Sequence, residues 1–208
     1  MNVELHKGDL SSGVNFGDSV AVDTETMGLN PLRDRLCLVQ LSDSRGNCHI
    51  VQFIRSSAHE SNYTAPNLKA LLGNQNVVKL FHYARFDVAT IAHHLGVWCE
   101  PIYCTKIASK IARTNSDSHG LKDLCKNLLG VELSKRMQLS DWGNDILTEE
   151  QIDYAADDVL YLHSLREKLD ALLLREGRVD LARFCMDFVP TRARLDLEGW
   201  QGIDILGH

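Results

Sequence analysis

An apolar run, Val20-Ala21-Val22, passes without a spacer into Asp23-Thr24-Glu25-Thr26. The run reads as a buried strand over residues 19–25. Two carboxylates spaced Asp-x-Glu at its end can aim at one point while the backbone stays anchored in a sheet. Carboxylates crowded in this way repel each other and call for a positive partner. Oxygen ligands of this kind suit Mg²⁺ or Mn²⁺ rather than zinc. Alone, the pair fits an ordinary strand-to-loop exit better, so the metal reading depends on further ligands elsewhere in the chain.

The rest of the chain surrounds that strand with alternating elements. Leu36 to Leu41 and His49 to Phe53 are two more apolar runs, separated by the turn-like Asp43-Ser44-Arg45-Gly46, which predicts a hairpin. Three strands therefore come in succession, with a polar loop at 56–65 after them. Pro66 opens a short helix over 67–72, with Gly73 as its stop. Strands are expected at 77–81 and 102–104, a helix from about Phe86 to Gly96, and another over 106–112. Ser118 reads as the cap of a helix in which Leu121, Leu124, Cys125 and Leu128 follow helical spacing before Gly130. Residues 131–147 read as an irregular connector. Thr148-Glu149-Glu150-Gln151 matches a capping box, predicting a helix from about Glu149 to about Arg175. The class is α/β, a mixed sheet opening on antiparallel strands and finishing on helices.

That last helix carries the second cluster of polar chemistry. In Tyr154-Ala155-Ala156-Asp157-Asp158, Tyr154 and Asp158 are four apart and share one face, while Asp157 is rotated about 100° away. Phe86-Asp87 supplies a third acidic site where the 77–81 strand gives way to helix. The chain thus offers four carboxylates and a tyrosine in the order D-x-E, F-D, Y-x-x-x-D.

Bulk properties set limits on the partner. The formal charge is −6 over 208 residues, whereas a protein gripping long nucleic acid usually shows a basic surplus. Any such grip must be short and metal-centred, or drawn from a local patch; Arg113, Lys122, Lys126, Lys135 and Arg136 are the candidates, with a solvated helix face as the competing reading. No apolar run approaches the roughly 20 residues that span a bilayer, and the polar start is unlike a signal peptide; the expectation is a cytoplasmic protein. Six cysteines without a C-x-x-C pair fit buried, reduced thiols. The length fits one domain over 1–208.

The ordered motifs resemble the DEDD superfamily of 3′–5′ exonucleases, in the subclass whose last motif carries tyrosine. Gly120-Leu121-Lys122-Asp123-Leu124, Leu129-Gly130-Val131-Glu132-Leu133 and Ser140-Asp141-Trp142 are similar to ribonuclease D, and the likeness runs from about 18 to 175. It implies a ribonuclease-H-like fold and a catalytic set of Asp23, Glu25, Asp87, Tyr154 and Asp158. The four carboxylates would hold two divalent cations, Mg²⁺ or Mn²⁺, with Asp23 bridging, and Tyr154 would orient or deprotonate the attacking water. Core packing is the competing reading for Tyr154. Many members have asparagine where this chain has Tyr83; the preceding His82 fits ribonuclease-D-like members, and a plain hydrogen-bonded strand-end histidine is its competing reading. By resemblance to oligoribonuclease-like members, Thr26 and Leu29 join His82 and Tyr83 as substrate-binding candidates, Leu29 as a wedge between terminal bases or an ordinary loop anchor.

The tail, Phe188-Val189-Pro190-Thr191-Arg192-Ala193-Arg194-Leu195-Asp196-Leu197 with Gly199-Trp200, resembles that of the nanoRNase C enzymes, small bacterial relatives of ribonuclease D. The likeness implies cleavage of short single-stranded RNA, especially dinucleotides, within a homo-oligomer. About thirty residues follow the last long helix, too few for a helical binding domain, so the expectation is a stand-alone catalytic domain whose 176–208 tail contacts other subunits or folds onto its own core. Two alternatives stay open: an exonuclease trimming longer RNA or DNA, and a non-catalytic RNA-binding module.

Overall fold

The computed structural model describes residues 2–54, 62–134, 137 and 140–208. Lys135, Arg136 and residues 56–61 of the expected loop lie outside them. Six strands, β1 (Asn2–Lys7), β2 (Ser19–Thr26), β3 (Leu36–Ser42), β4 (Asn47–Gln52), β5 (Val78–Phe81) and β6 (Ile102–Cys104), form one mixed sheet. Their order across the sheet is β1-β4-β3-β2-β5-β6. The helices are α1 (Pro66–Leu72), α2 (Ala84–Leu95), α3 (Thr105–Ala112), α4 (Leu121–Leu124), α5 (Glu149–Leu160), α6 (Leu162–Arg175), α7 (Val179–Asp187) and α8 (Val189–Leu195).

The expected hairpins are present: β2 pairs antiparallel with β3, and β3 with β4. Asp43 builds the second turn by accepting from the backbone N–H groups of Arg45 and Asn47, both at 2.9 Å. Every residue of β3 is buried, because the strand is central and covered on both faces. β5 and β6 extend the sheet in parallel beyond β2.

Three expectations are corrected. The three antiparallel strands do not lead the chain: β1 precedes them and pairs parallel with β4 at the edge. Its sequence, NVELHK, carries mostly polar side chains because an edge strand presents much of its surface to water. The helix read as continuous from 149 to 175 is two helices, interrupted at Tyr161, whose φ and ψ are −98° and −3°. Neither glycine nor proline marks that break; packing imposes it, α5 lying on β2, β3 and β4 while α6 lies on α3 and β5. Similarly, the cap of α4 is Gly120 rather than Ser118, and α4 passes into a π-helical turn over Cys125–Leu129 before the left-handed Gly130.

The tail folds onto its own core. α8 packs on α2, and α7 on α3. Asp196 accepts from Arg85 Nη2 and from Arg192 Nη2, each at 2.7 Å. Phe184, Phe188 and Trp200 remain exposed on this tail. Five of the six cysteines are buried and all are free thiols.

Candidate active site

Alternation along β2 distributes the first motif between two helices. Asp23 and Glu25 share one face of the strand and Thr24 the other. Asp23 and Glu25 meet Asp158 of α5, and one oxygen from each of the three carboxyl groups lies within 4.8 Å of the other two. The capping box at Thr148 sets the register of α5: its hydroxyl accepts from Gln151 N–H at 3.2 Å, and the Gln151 side chain accepts in return from Thr148 N–H at 2.9 Å. Gln151 also donates to Ser140 Oγ at 2.7 Å, tying the 140–147 connector to the start of the helix.

Thr24, on the opposite face, donates its hydroxyl to Asp87 Oδ1 of α2 at 2.6 Å. Asp87 is buried and stands outside the three-carboxylate group. Its charge is nonetheless felt there: burial first, then Asp87, Asp158 and Glu25, push the Asp23 carboxyl well above its usual range. Burial and the charges of Asp158 and Asp87 raise Glu25 to about 9. Burial also raises Asp87 and Asp158 to about 7, against hydrogen bonds from Thr24 and Tyr154 that hold them down. Four carboxyl groups whose ionised forms are all disfavoured make a site that a bound cation would relieve. The donor set is carboxylate oxygen throughout, which suits Mg²⁺ or Mn²⁺.

Asp23, Glu25 and Asp158 form the floor of a cleft of about 620 Å³. Tyr154, one turn before Asp158, is hydrogen-bonded to it; burial and the surrounding carboxylates push its hydroxyl above the ordinary phenol range. Its ring lies 6.0 Å from that of Trp142. His82 lines one wall. The Thr105 hydroxyl donates to Phe81 O at 3.2 Å and therefore accepts from His82 Nδ1 at 2.9 Å. Nε2 of His82 is left as an acceptor, and burial, then Lys106, lower the ring to about 4, so it is neutral.

The opposite rim is the 26–35 loop. Thr26 donates to Gly28 O, Met27 N–H to Arg35 O at 3.0 Å, and Asn30 N–H to Asp34 Oδ2 at 2.9 Å. A Cβ on Gly28 would sit 2.3 Å from Asp34 Oδ2, so any side chain there would displace the carboxylate that accepts from Asn30 N–H. The ordered loop presents Leu29 at the rim with 83% of its surface exposed.

A family model described as 3′-5′ exonuclease matches residues 7–174. The chain belongs to the 3′-5′ exonuclease family. Ribonuclease D of Acidiphilium cryptum is 37% identical over 161 residues, covering 77% of this chain and 39% of that protein. The exonuclease thus spans about two fifths of the length of the curated relatives it matches. A structure of Brucella melitensis NrnC bound to pGG superposes with a TM-score of 0.94 at 46% identity, covering 100% of this chain and 99% of that one. NrnC with bound Mg²⁺ gives a TM-score of 0.92 at 46% identity over 100% of both chains. The fold is that of the ribonuclease D and NrnC exonucleases, a six-stranded mixed sheet flanked by helices.

Within this exonuclease, Asp23, Glu25, Tyr154, Asp158, Thr26, Leu29 and His82 all border one cleft. Tyr83 does not. It faces a neighbouring groove of about 290 Å³ with Arg85, Lys106 and Arg192, and Lys106 Nζ lies 4.4 Å from its ring centre. Tyr83 is the cap of α2 with a left-handed φ of 71°. Asparagine tolerates that conformation far better than tyrosine. Of the basic candidates, Lys122 lines the cleft, Lys126 pairs with Glu132 at 2.8 Å, and Arg113 donates to Ser118 O at 3.0 Å. Sequence reasoning missed Thr24 as the partner of Asp87 and Phe86 as a wall of the cleft. Their place inside the acidic motifs was the available signal.

Proposed function

We propose that this exonuclease is a metal-dependent 3′–5′ exoribonuclease hydrolysing short RNA, dinucleotides above all, to nucleoside 5′-monophosphates. The observation that carries the reading is the convergence of Asp23, Glu25 and Asp158 at the floor of one cleft, with Tyr154 and the buried Asp87 beside them. The volume, about 620 Å³, falls in the range of small-ligand pockets and suits two nucleotides better than a long strand. The −6 net charge points the same way, since a dinucleotide carries too few phosphates to need a basic track. NrnC, similar over the whole chain, has been solved with pGG, a dinucleotide.

Asp23, Glu25, Asp87 and Asp158 would hold the cations. Two divalent ions at such a site neutralise the scissile phosphate and stabilise attacking and leaving oxygens. Tyr154, held protonated by burial and by its carboxylate neighbours, positions the water in line with the phosphorus. Leu29 wedges against the terminal base, and the neutral His82 offers Nε2 as an acceptor to a ribose hydroxyl. Residues 1–208 act as one exonuclease domain in the cytoplasm, and the exposed Phe184, Phe188 and Trp200 of the tail form contacts between subunits of a homo-oligomer.

The test is a time course on 5′-labelled dinucleotides and a seven-nucleotide RNA, with Mg²⁺, with Mn²⁺ and with chelator. Faster cleavage of dinucleotides, abolished by chelator, supports the proposal. Faster cleavage of the longer RNA would favour the trimming reading, for which the basic groove of Arg85, Lys106, Lys110 and Arg192 is the supporting feature. No cleavage with metal present would leave a binding module.

A further inference from the structure

At the edge of the sheet, three side chains converge on a second point. Glu4 and His6 are two apart on β1 and share a face, and the strand register sets His49 of β4 opposite Glu4. His6 Nε2 and His49 Nδ1 lie 3.0 Å apart. Glu4 Oε1 is 3.8 Å from His6 Nε2, and Glu4 Oε2 is 3.6 Å from His49 Nδ1. One ligand atom from each residue lies within 4.8 Å of the others. Zinc binds imidazole nitrogen and carboxylate oxygen at about 2.0–2.2 Å in a tetrahedron, which sets ligand atoms roughly 3.3–3.5 Å apart. The three measured separations, two of them to different oxygens of the Glu4 carboxylate, lie within about half an ångström of that value.

The surroundings are those of a built site. The His6 side chain is 4% exposed and that of His49 13%. His6 Nδ1 lies 3.0 Å from Ser11 Oγ; a hydrogen bond there directs the lone pair of Nε2 at His49. Such a partner on the far ring nitrogen is the usual way a ligating histidine is oriented. Phe16 packs edge-on against the His49 ring at 5.4 Å. Only one proton can lie between two ring nitrogens 3.0 Å apart. Moving it from His49 Nδ1 to the same ring's Nε2 frees both facing lone pairs with no net proton change.

We propose that Glu4, His6 and His49 bind a divalent transition-metal ion of the zinc class, with water completing the shell. The ion clamps the edge strand β1 to β4. With β3 between β4 and β2, β1 stands three strand spacings, roughly 14 Å, from β2 and its carboxylates. The two places also differ in chemistry: imidazole nitrogens select zinc, nickel or copper, while an all-carboxylate floor selects magnesium or manganese.

The experiment titrates Zn²⁺ into chelator-stripped, full-length protein against a competing chromogenic chelator. Wild type and Asp23→Asn are compared with Glu4→Gln, His49→Gln and Ser11→Ala. The proposal expects one zinc equivalent in wild type and in Asp23→Asn. It expects affinity to fall by about tenfold or more in Ser11→Ala, Glu4→Gln and His49→Gln. Zinc should raise the Tm of wild type and fail to raise that of His49→Gln, by the linkage of binding to folding. Glu4 is exposed, so Glu4→Gln keeps the comparison decisive should His49→Gln not fold. Zinc uptake lost in Asp23→Asn but kept in Glu4→Gln would place the ion in the cleft and overturn the proposal. So would no stoichiometric uptake by wild type.

Discussion

Asp158→Asn should make the metal-free protein more stable while abolishing hydrolysis. The Asp158 carboxyl, raised by burial first and by Asp157 next, ionises at about 7 in the folded chain against an ordinary value of 3.8. Each tenfold change in an ionisation constant is worth about 1.4 kcal/mol. Keeping this group ionised at pH 8 in the folded, metal-free protein therefore costs on the order of 4 kcal/mol. The sign follows from proton binding. The folded state holds the proton more tightly than the unfolded state, so the associated stability is fully present below about pH 4. It is lost as pH rises through about 7. Asparagine is neutral throughout and escapes that loss. Part of the gain is given back, because the amide brings a buried NH2 group that needs an acceptor of its own. A net of about 2 kcal/mol at pH 8 corresponds to roughly 4–8 °C in Tm for a chain of this size.

The assay is thermal unfolding with chelator at pH 5 and pH 8, then with excess Mg²⁺, beside a hydrolysis assay at pH 8. Wild type should lose Tm between pH 5 and pH 8 and regain it with Mg²⁺, since a ligand that binds only the folded state stabilises it. The variant should lie above wild type at pH 8 in chelator, converge with it at pH 5, and respond little to Mg²⁺. A variant less stable than wild type at both pH values would refute the reasoning. It would mean that the carboxylate is a net structural contact rather than one half of an ion site.

Tyr154→Phe removes only a hydroxyl; turnover should fall about a hundredfold or more while calorimetric Mg²⁺ binding stays unchanged. Leu29→Ala leaves the floor intact, so KM for a dinucleotide should rise about tenfold, the loss of roughly 1–2 kcal/mol of apolar contact, with kcat within a factor of two in steady-state kinetics. Tyr83→Asn relieves a left-handed tyrosine and should raise stability by about 0.5–1 kcal/mol in denaturant unfolding. Asp196→Ala leaves Arg85 and Arg192 facing each other without their shared carboxylate; the loss should be about 2–3 kcal/mol by the same measurement.

How much of the fold and the site is legible in the chain depends on whether local chemistry or packing decides it. The capping box sets the phase of α5, so the joint facing of Tyr154 and Asp158 follows from residue spacing alone. The apolar run into Asp23 and the turn at Asp43 are equally local signals, and β2, β3 and β4 follow from them. β1 is hidden because its ladder to β4 needs only backbone groups, which every sequence has. The break at Tyr161 is hidden because no residue there opposes a helix; only the different surfaces beneath α5 and α6 require it. Asp87 shows the limit within the site itself. Its place in the motif order is readable, but its hydrogen bond from Thr24 depends on which face of β2 meets α2. That contact keeps Asp87 beside the carboxylate group rather than in it. A cation entering the cleft would therefore meet Asp23, Glu25 and Asp158 first, and Asp87, held by Thr24, would join them as a ligand from the neighbouring helix.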